Sequence, residues 1–237
     1  RLTLPQVAND IPCFILVCQA PQIAHTTQSE PAGGLKAKTK DRGYEMPYRG
    51  DVFVQNHYYH VYNRGAGKGL LFFNPGNYEY CLRLVKRYYQ RYGVTVIAYC
   101  LMPNHYHFLL RQETNQVLSR FINVLFNAYV QAVNRQQGRK GTLFEGRFRH
   151  VWVDREEYLI HLCRYIHLNP VKARLVSRLE DWPYSNYMEW IGQRAGTLKD
   201  ETFIRARFPT PEAYEQFVAD DRDEIRAREF TVKYVWD

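Results

Sequence analysis

The chain has 237 residues, 46% of them hydrophobic, which is enough for one well-filled domain with extensions. Its 5 cysteines are scattered with no CxxC pair, which excludes a disulfide framework or zinc ribbon and suits a reducing cytoplasm. The apolar stretch from Ile11 to Ala20 is too short to span a bilayer, so no membrane anchor is expected.

The net charge of +8 is unevenly spread: residues 46–198 hold 20 of the 32 basic and 10 of the 24 acidic residues. A surplus confined to the middle of a chain reads as the footprint of a polyanion. The 19 Tyr, 13 Phe and 4 Trp add rings on which unpaired bases could stack, although most belong in a core.

Residues 1–45 are punctuated by Pro5, Pro12, Pro21 and Pro31 and read as a disordered leader; Met46 opens a different texture and is the expected natural start. A first strand is predicted over His57 to Arg64, closed by the glycine-rich turn Gly65 to Gly69. The spacing of Tyr80, Cys81, Leu84, Val85 and Tyr88 predicts a helix over Asn77 to Tyr92, stopped by Gly93. Val94 to Leu101 and His105 to Leu110 read as a hairpin joined by Met102-Pro103-Asn104. A second helix is predicted from Gln116 to Gln136, then a basic loop from Arg135 to Gly141 and a strand from Phe144 to Val153.

Asp154 with Glu157 forms a capping-box-like start to a third helix, which should end or kink near Asn169 because Pro170 lacks an amide donor. The order β-α-β-β-α-β-α predicts an α+β, ferredoxin-like split βαβ antiparallel sheet with helices on one face and an added C-terminal helix. Asp181 to Ser185 reads as an ordered turn, and Thr210-Pro211 opens an acidic helix. The expected division is a leader at 1–45, a catalytic domain at 46–192 and a partly helical extension at 193–237.

His105 and His107 stand two apart on a predicted strand, so both imidazoles leave the same face, with Cα atoms roughly 6.6 Å apart, and can share one divalent metal. Tyr165 and Asn169 are neighbours on one helix face, so a metal held by the Asn169 amide oxygen would lie close to the Tyr165 hydroxyl. His161 falls one turn earlier on that face, whereas His167 points elsewhere. On the residues alone, a chance HxH pair and a packing tyrosine remain open readings.

Met102-Pro103-Asn104-His105-Tyr106-His107-Phe108-Leu109, followed about sixty residues later by Tyr165-Ile166-His167-Leu168-Asn169-Pro170-Val171-Lys172-Ala173, resembles the single-tyrosine HUH transposases. More narrowly it resembles the REP-associated tyrosine transposases of bacteria, over roughly Met46 to Gly192. The resemblance implies His105, His107 and Asn169 as metal ligands, the last standing where some relatives have glutamine, and Tyr165 as the nucleophile. Tyr106 departs mildly from the bulky apolar residue usual between the histidines. The implied reaction cuts DNA through a 5′-phosphotyrosine, and the implied target is an imperfect palindromic repeat folded as a hairpin, with a short flanking tetranucleotide guiding the cut.

A phenol is mostly neutral at pH 7, so attack on phosphorus needs a polarised phosphate, which a bound Mg²⁺ or Mn²⁺ would supply. Arg135, Arg139, Lys140, Arg147 and Arg149, interleaved with Phe144 and Phe148, are candidates for a phosphate-tracking and base-stacking surface; the bland alternative is a solvated loop. His161 is a possible orienting group. The expected partner is single-stranded or hairpin DNA, the expected location the cytoplasm in association with the nucleoid, and a monomer is expected over a dimer. Two alternatives stay open, a non-catalytic single-strand-binding module and a hydrolase using metal-bound water with no covalent step; Tyr129 and Tyr158 are rivals to Tyr165 as the nucleophile.

Overall fold

Aromatic and β-branched side chains alternating from Tyr58 to Arg64 build β1, whose inward residues are buried on a sheet shared with β2 (Val94–Met102), β3 (His105–Gln112) and β4 (Arg149–Val153). In this computed structural model the strand order is β2-β3-β1-β4 and every pairing is antiparallel. With α1 (Pro75–Tyr88) between β1 and β2, and α2 (Leu118–Gln136) between β3 and β4, the split βαβ plan is realised, and α3 (Glu156–Lys172) is the added helix. The chain divides into two units, Arg1–Pro47 and Tyr48–Asp237. The structure describes residues 53–114 and 118–220, so the leader, Met46, Gln116, Val117 and the end of the extension lie outside the described residues.

The sheet is buried on both faces, which is why β2 and β3 read as near-continuous apolar runs. Tyr106, Phe108 and Leu110 of β3 pack with Val61, Leu84, Phe121 and Leu125 beneath α1 and α2. Leu109, Cys100 and Met102 face the opposite core, built from Leu159, Leu162 and Ile166 of α3 and from Trp190 and Tyr214. Among the described residues no helix is long and apolar enough to cross a membrane.

Several boundaries differ from the sequence expectation, each for a local reason. The first helix begins at Pro75 because Asn74 caps it, its side chain accepting from the Asn77 amide at 3.1 Å, and it ends at Tyr88 before a 3-10 turn over Gln90–Tyr92. Gly93 then takes φ +53, where a Cβ would meet Thr114 Oγ1 at 3.0 Å. The fourth strand is only Arg149–Val153, since residues 144–148 are held as a loop: Asn63 Nδ2 donates to the Gly146 carbonyl at 3.0 Å and Arg64 pairs with Glu145.

The third helix begins at Glu156 with Arg155, not Asp154, as its N-cap, and Arg155 makes no side-chain cap bond. Nor does Pro170 end it at Asn169. Placed in the last turn, proline removes only the amide that would reach the Ile166 carbonyl, and Asn169 Nδ2 lies 3.5 Å from that oxygen. The helix closes instead with Arg174 at φ +55 and Leu175 N–H donating to the Pro170 carbonyl at 2.9 Å.

The Trp182 to Asn186 segment covers the outer edge of β2: the Leu101 amide donates to the Tyr184 carbonyl at 2.9 Å and Trp182 Nε1 donates to the Leu101 carbonyl at 3.2 Å. The extension then folds as α4 (Tyr187–Trp190), α5 (Glu201–Arg207), which the sequence reading missed, and α6 (Pro211–Ala219), capped by Thr210 as expected. Asn186 joins these parts, its Oδ1 accepting from the Tyr99 amide at 2.8 Å and its Nδ2 donating to the Ile97 and Leu198 carbonyls.

Since that Oδ1 can only accept, His167 must donate to it from Nε2 at 2.9 Å, which leaves Nδ1 to accept from Tyr214 Oη at 2.6 Å. Burial lowers the His167 pKa to about 4. Between about pH 6.5 and that value the unfolded chain binds a proton that the folded chain refuses, so stability falls as pH falls through this window and is fully present above it. Urea denaturation across pH 7 to 4 should show a loss on the order of 3 kcal/mol from this group; His167→Gln should be less stable at pH 7 and show a flatter pH dependence, whereas an unchanged slope would refute the assignment.

Candidate active site

Three strands present one row of side chains beneath α3. Tyr62 lies across from His107 on one side and from Arg149 on the other, and Arg64 lies across from His105. Period-two alternation therefore puts His60, Tyr62, His105, His107 and Arg149 on the same face. The His105 and His107 rings are 5.1 Å apart, with His107 buried and His105 partly exposed.

The two-residue turn before His105 is fixed in place. The amides of Leu71 and Phe72 donate to the Pro103 carbonyl at 2.8 and 3.1 Å, and the Gly65 amide donates to that of Asn104 at 2.8 Å. His105 Nδ1 donates to Asn104 Oδ1 at 2.7 Å, which leaves Nε2 with its lone pair. The His107 Nδ1 lies 2.9 Å from His60 Nε2. Burial, with His60 and His105 adding to it, holds the His107 pKa well below the ordinary imidazole range, so the ring is neutral and can act as a donor ligand.

On α3, Leu159, Leu162 and Ile166 recur at helical spacing and dock on the sheet, turning Tyr165 toward the histidines. Its ring centroid is 5.6 Å from that of His107 and 6.5 Å from that of His60, both edge-to-face, within one chain. Lys172 Nζ stands 5.6 Å from the same ring. Asn169 donates from Nδ2 to the Tyr165 carbonyl at 2.8 Å, so its side-chain oxygen keeps its lone pairs for another partner.

Among the described residues no group of three or more histidine, cysteine or carboxylate side chains is placed to hold a metal. Two imidazoles and the Asn169 amide are the groups that a Mn²⁺ or Mg²⁺ ion would draw on here, a mixed nitrogen and oxygen set in keeping with those ions. Of the rival tyrosines, Tyr129 is fully buried with its hydroxyl donating to the Leu71 carbonyl at 2.7 Å, and burial raises its pKa strongly. Tyr158 accepts from Arg155 at 3.3 Å.

The remaining predicted residues divide. Arg135, Arg139, Lys140, Arg147 and Arg149 are exposed, and Arg149 hydrogen-bonds the Tyr62 hydroxyl. Phe144 and Phe148, expected as base-stacking rings, are not: they are 8% and 7% exposed, Phe144 packing edge-on against Phe126 at 5.1 Å and Phe148 near His150 at 6.1 Å. His161 lies 5.4 Å from the Phe217 ring of α6, and the imidazole bonded to His107 is that of His60. Sequence reasoning gives His60, Tyr62 and Lys172 no role, since only the β1–β3 register and the α3 docking reveal what they touch.

Residues 53–169 match the family described as "Transposase IS200 like". A Haemophilus influenzae protein named for the REP-associated tyrosine transposases is 28% identical over 109 residues, 41% of this chain and 61% of the relative, so the chain spans less than two thirds of that relative's length. A solved REP-associated tyrosine transposase bound to a REP hairpin superposes with a TM-score of 0.52 at 18% identity, covering 65% of this chain and 93% of that one, a likeness of fold.

Burial of Phe144 carries a measurable consequence. Phe144→Ala should cost about 3 kcal/mol in urea denaturation, as a large ring deleted from a core does, while Arg139→Ala should stay within about 0.5 kcal/mol. An undiminished stability for Phe144→Ala would restore it as a surface ring.

Proposed function

We propose, from the match of residues 53–169 to the IS200-like transposase family, that this chain binds single-stranded or hairpin-forming DNA and cuts it with the Tyr165 hydroxyl as nucleophile. The observation that carries the reading is the Tyr165 ring 5.6 Å from His107 in the same chain, beside the His105–His107 pair. In this reading His105 and His107 present Nε2, and Asn169 its amide oxygen, to a divalent cation. Bound there, Mg²⁺ or Mn²⁺ would polarise the scissile phosphate and neutralise the charge that develops on it.

The protein's own groups perform the rest. Tyr165 Oη forms the bond to phosphorus as the bond to the 3′-oxygen breaks, leaving a 5′-phosphotyrosine and a free 3′-hydroxyl that can later reverse the step. Burial of His107 and the Asn104 bond to His105 hold both ligand rings in place before substrate arrives. Lys172 adds positive charge beside the tyrosine, where a phosphate would sit. The exposed Arg135, Arg139, Lys140, Arg147 and Arg149 track the backbone. The meeting of tyrosine and histidines within one chain supports action as a monomer. By analogy with the hairpin-bound relative of the same fold, the substrate is an imperfect palindromic repeat.

A labelled hairpin oligonucleotide with a single-stranded flank, incubated with Mn²⁺, should yield a covalent protein adduct on a denaturing gel. Tyr165→Phe should abolish that adduct while binding the hairpin within a few-fold of the parent, and EDTA should abolish it in the parent. Free cleaved strands without adduct would show water, not tyrosine, to be the nucleophile, and binding without cleavage would leave a non-catalytic module. In the same binding assay Arg147→Ala and Arg149→Ala should each lower the slope of log K against log salt by about 1.

A further inference from the structure

His60 is buried and titratable, and the reaction above makes no use of it. It stands on β1 across from Leu109, while Tyr62 stands across from His107, so His60 and His107 are diagonal neighbours on one sheet face. Their facing nitrogens are 2.9 Å apart and the ring planes differ by 20°. The centroid separation of 5.1 Å exceeds the nitrogen separation by about one ring diameter, so the bond runs along the ring planes, where the N–H and lone pair point. Exposures of 0% and 2% leave no water to compete for it.

A neutral imidazole has one N–H and one lone pair, so the bond admits two arrangements. When His107 Nδ1 accepts, its Nε2 bears the proton and cannot ligate. When His107 Nδ1 donates, Nε2 carries the lone pair. We propose that His60 is a positioning residue that accepts the His107 Nδ1–H through Nε2, fixing the tautomer and ring angle in which His107 Nε2 can hold the catalytic metal, an inference that rests on His105 and His107 being the ligands. Asn104 does the same for His105 from the turn. Tyr62 flanks the pair at 4.8 and 6.0 Å and closes it laterally. An imidazole suits this spot because a carboxylate acceptor would place a charge where no solvent reaches.

Manganese binding by the full chain, measured by calorimetry without DNA, tests this. His60→Phe fills the space without an acceptor and should weaken Mn²⁺ binding about 10–100-fold, while His60→Gln, whose Oε1 can accept, should recover to within a few-fold of the parent. Nitrogen-15 correlation spectra of the metal-free parent, with His107 identified by its loss in His107→Asn, should show the Nδ1–H tautomer, a readout that needs no His60 variant to fold. Parent-like affinity in His60→Phe, equal losses in the Phe and Gln variants, or an Nε2–H tautomer at His107 would overturn the inference. A parent that binds Mn²⁺ and forms the adduct while His60→Phe binds normally sinks the His60 role alone. A parent that binds Mn²⁺ without forming an adduct sinks the nucleophile reading and leaves His60 standing, whereas a parent that binds no Mn²⁺ sinks both.

Discussion

Tyr62 faces His107 and Arg64 faces His105 across the β1–β3 ladder, and the orientation of the histidines in the candidate site follows from that pairing. A slip of one residue would turn His105 and His107 into the core beneath α1 and α2 and bring Tyr106 and Phe108 out in their place. The slip is opposed from both sides of the sheet. Tyr106 and Phe108 lie fully buried on one face and Leu109 on the other. The turn preceding β3 is bonded to Leu71, Phe72 and Gly65. Register is thus enforced by apolar burial, and the histidines inherit their orientation from it.

The third helix carries the complementary constraint. Its sheet-facing residues, Leu159, Leu162 and Ile166, each contribute roughly 1.5–3 kcal/mol by burial. Its far side is held by the extension, through His167 against Tyr214 and Arg164 donating to the Val218 carbonyl at 3.2 Å. A helix gripped on two sides has little freedom to rotate, and the tyrosine on the strip between those grips keeps its distance from His107. The described part of the extension therefore backs the helix that bears Tyr165.

The sheet plan, the hairpin and the three long helices were legible because period-two and period-3.6 patterns report burial directly. The HxH spacing was legible for the same reason: alternate strand residues share a face whatever the fold. Contacts between separate elements were not. His60 looked like one more aromatic-rich strand residue, since the sheet plan places β1 beside β3 without fixing the register that brings His60 to His107. Phe144 and Phe148, flanked by Arg147 and Arg149, looked like a basic aromatic surface, but the Arg64–Glu145 pair and the Asn63–Gly146 bond fold their loop so that the phenylalanines go in and the arginines stay out. Pro170 misled because its cost depends on position, and in a last turn it removes a single bond.

Exposure changes in a consistent direction across the site. His60 and His107 are buried, Tyr165, His105 and Asn169 are partly exposed, and Lys172 and Arg149 lie open. Groups whose task is to hold geometry sit where side-chain motion is restricted by packing. Groups that would touch substrate stand at the border, and the charges that would draw a phosphate stand beyond them. A strand reaching Tyr165 from the side of Lys172 and Arg149 would meet positive charge before it met the histidines. It would also arrive at rings whose orientation is set by the protein alone, so little reorganisation would remain to be made at the moment of reaction.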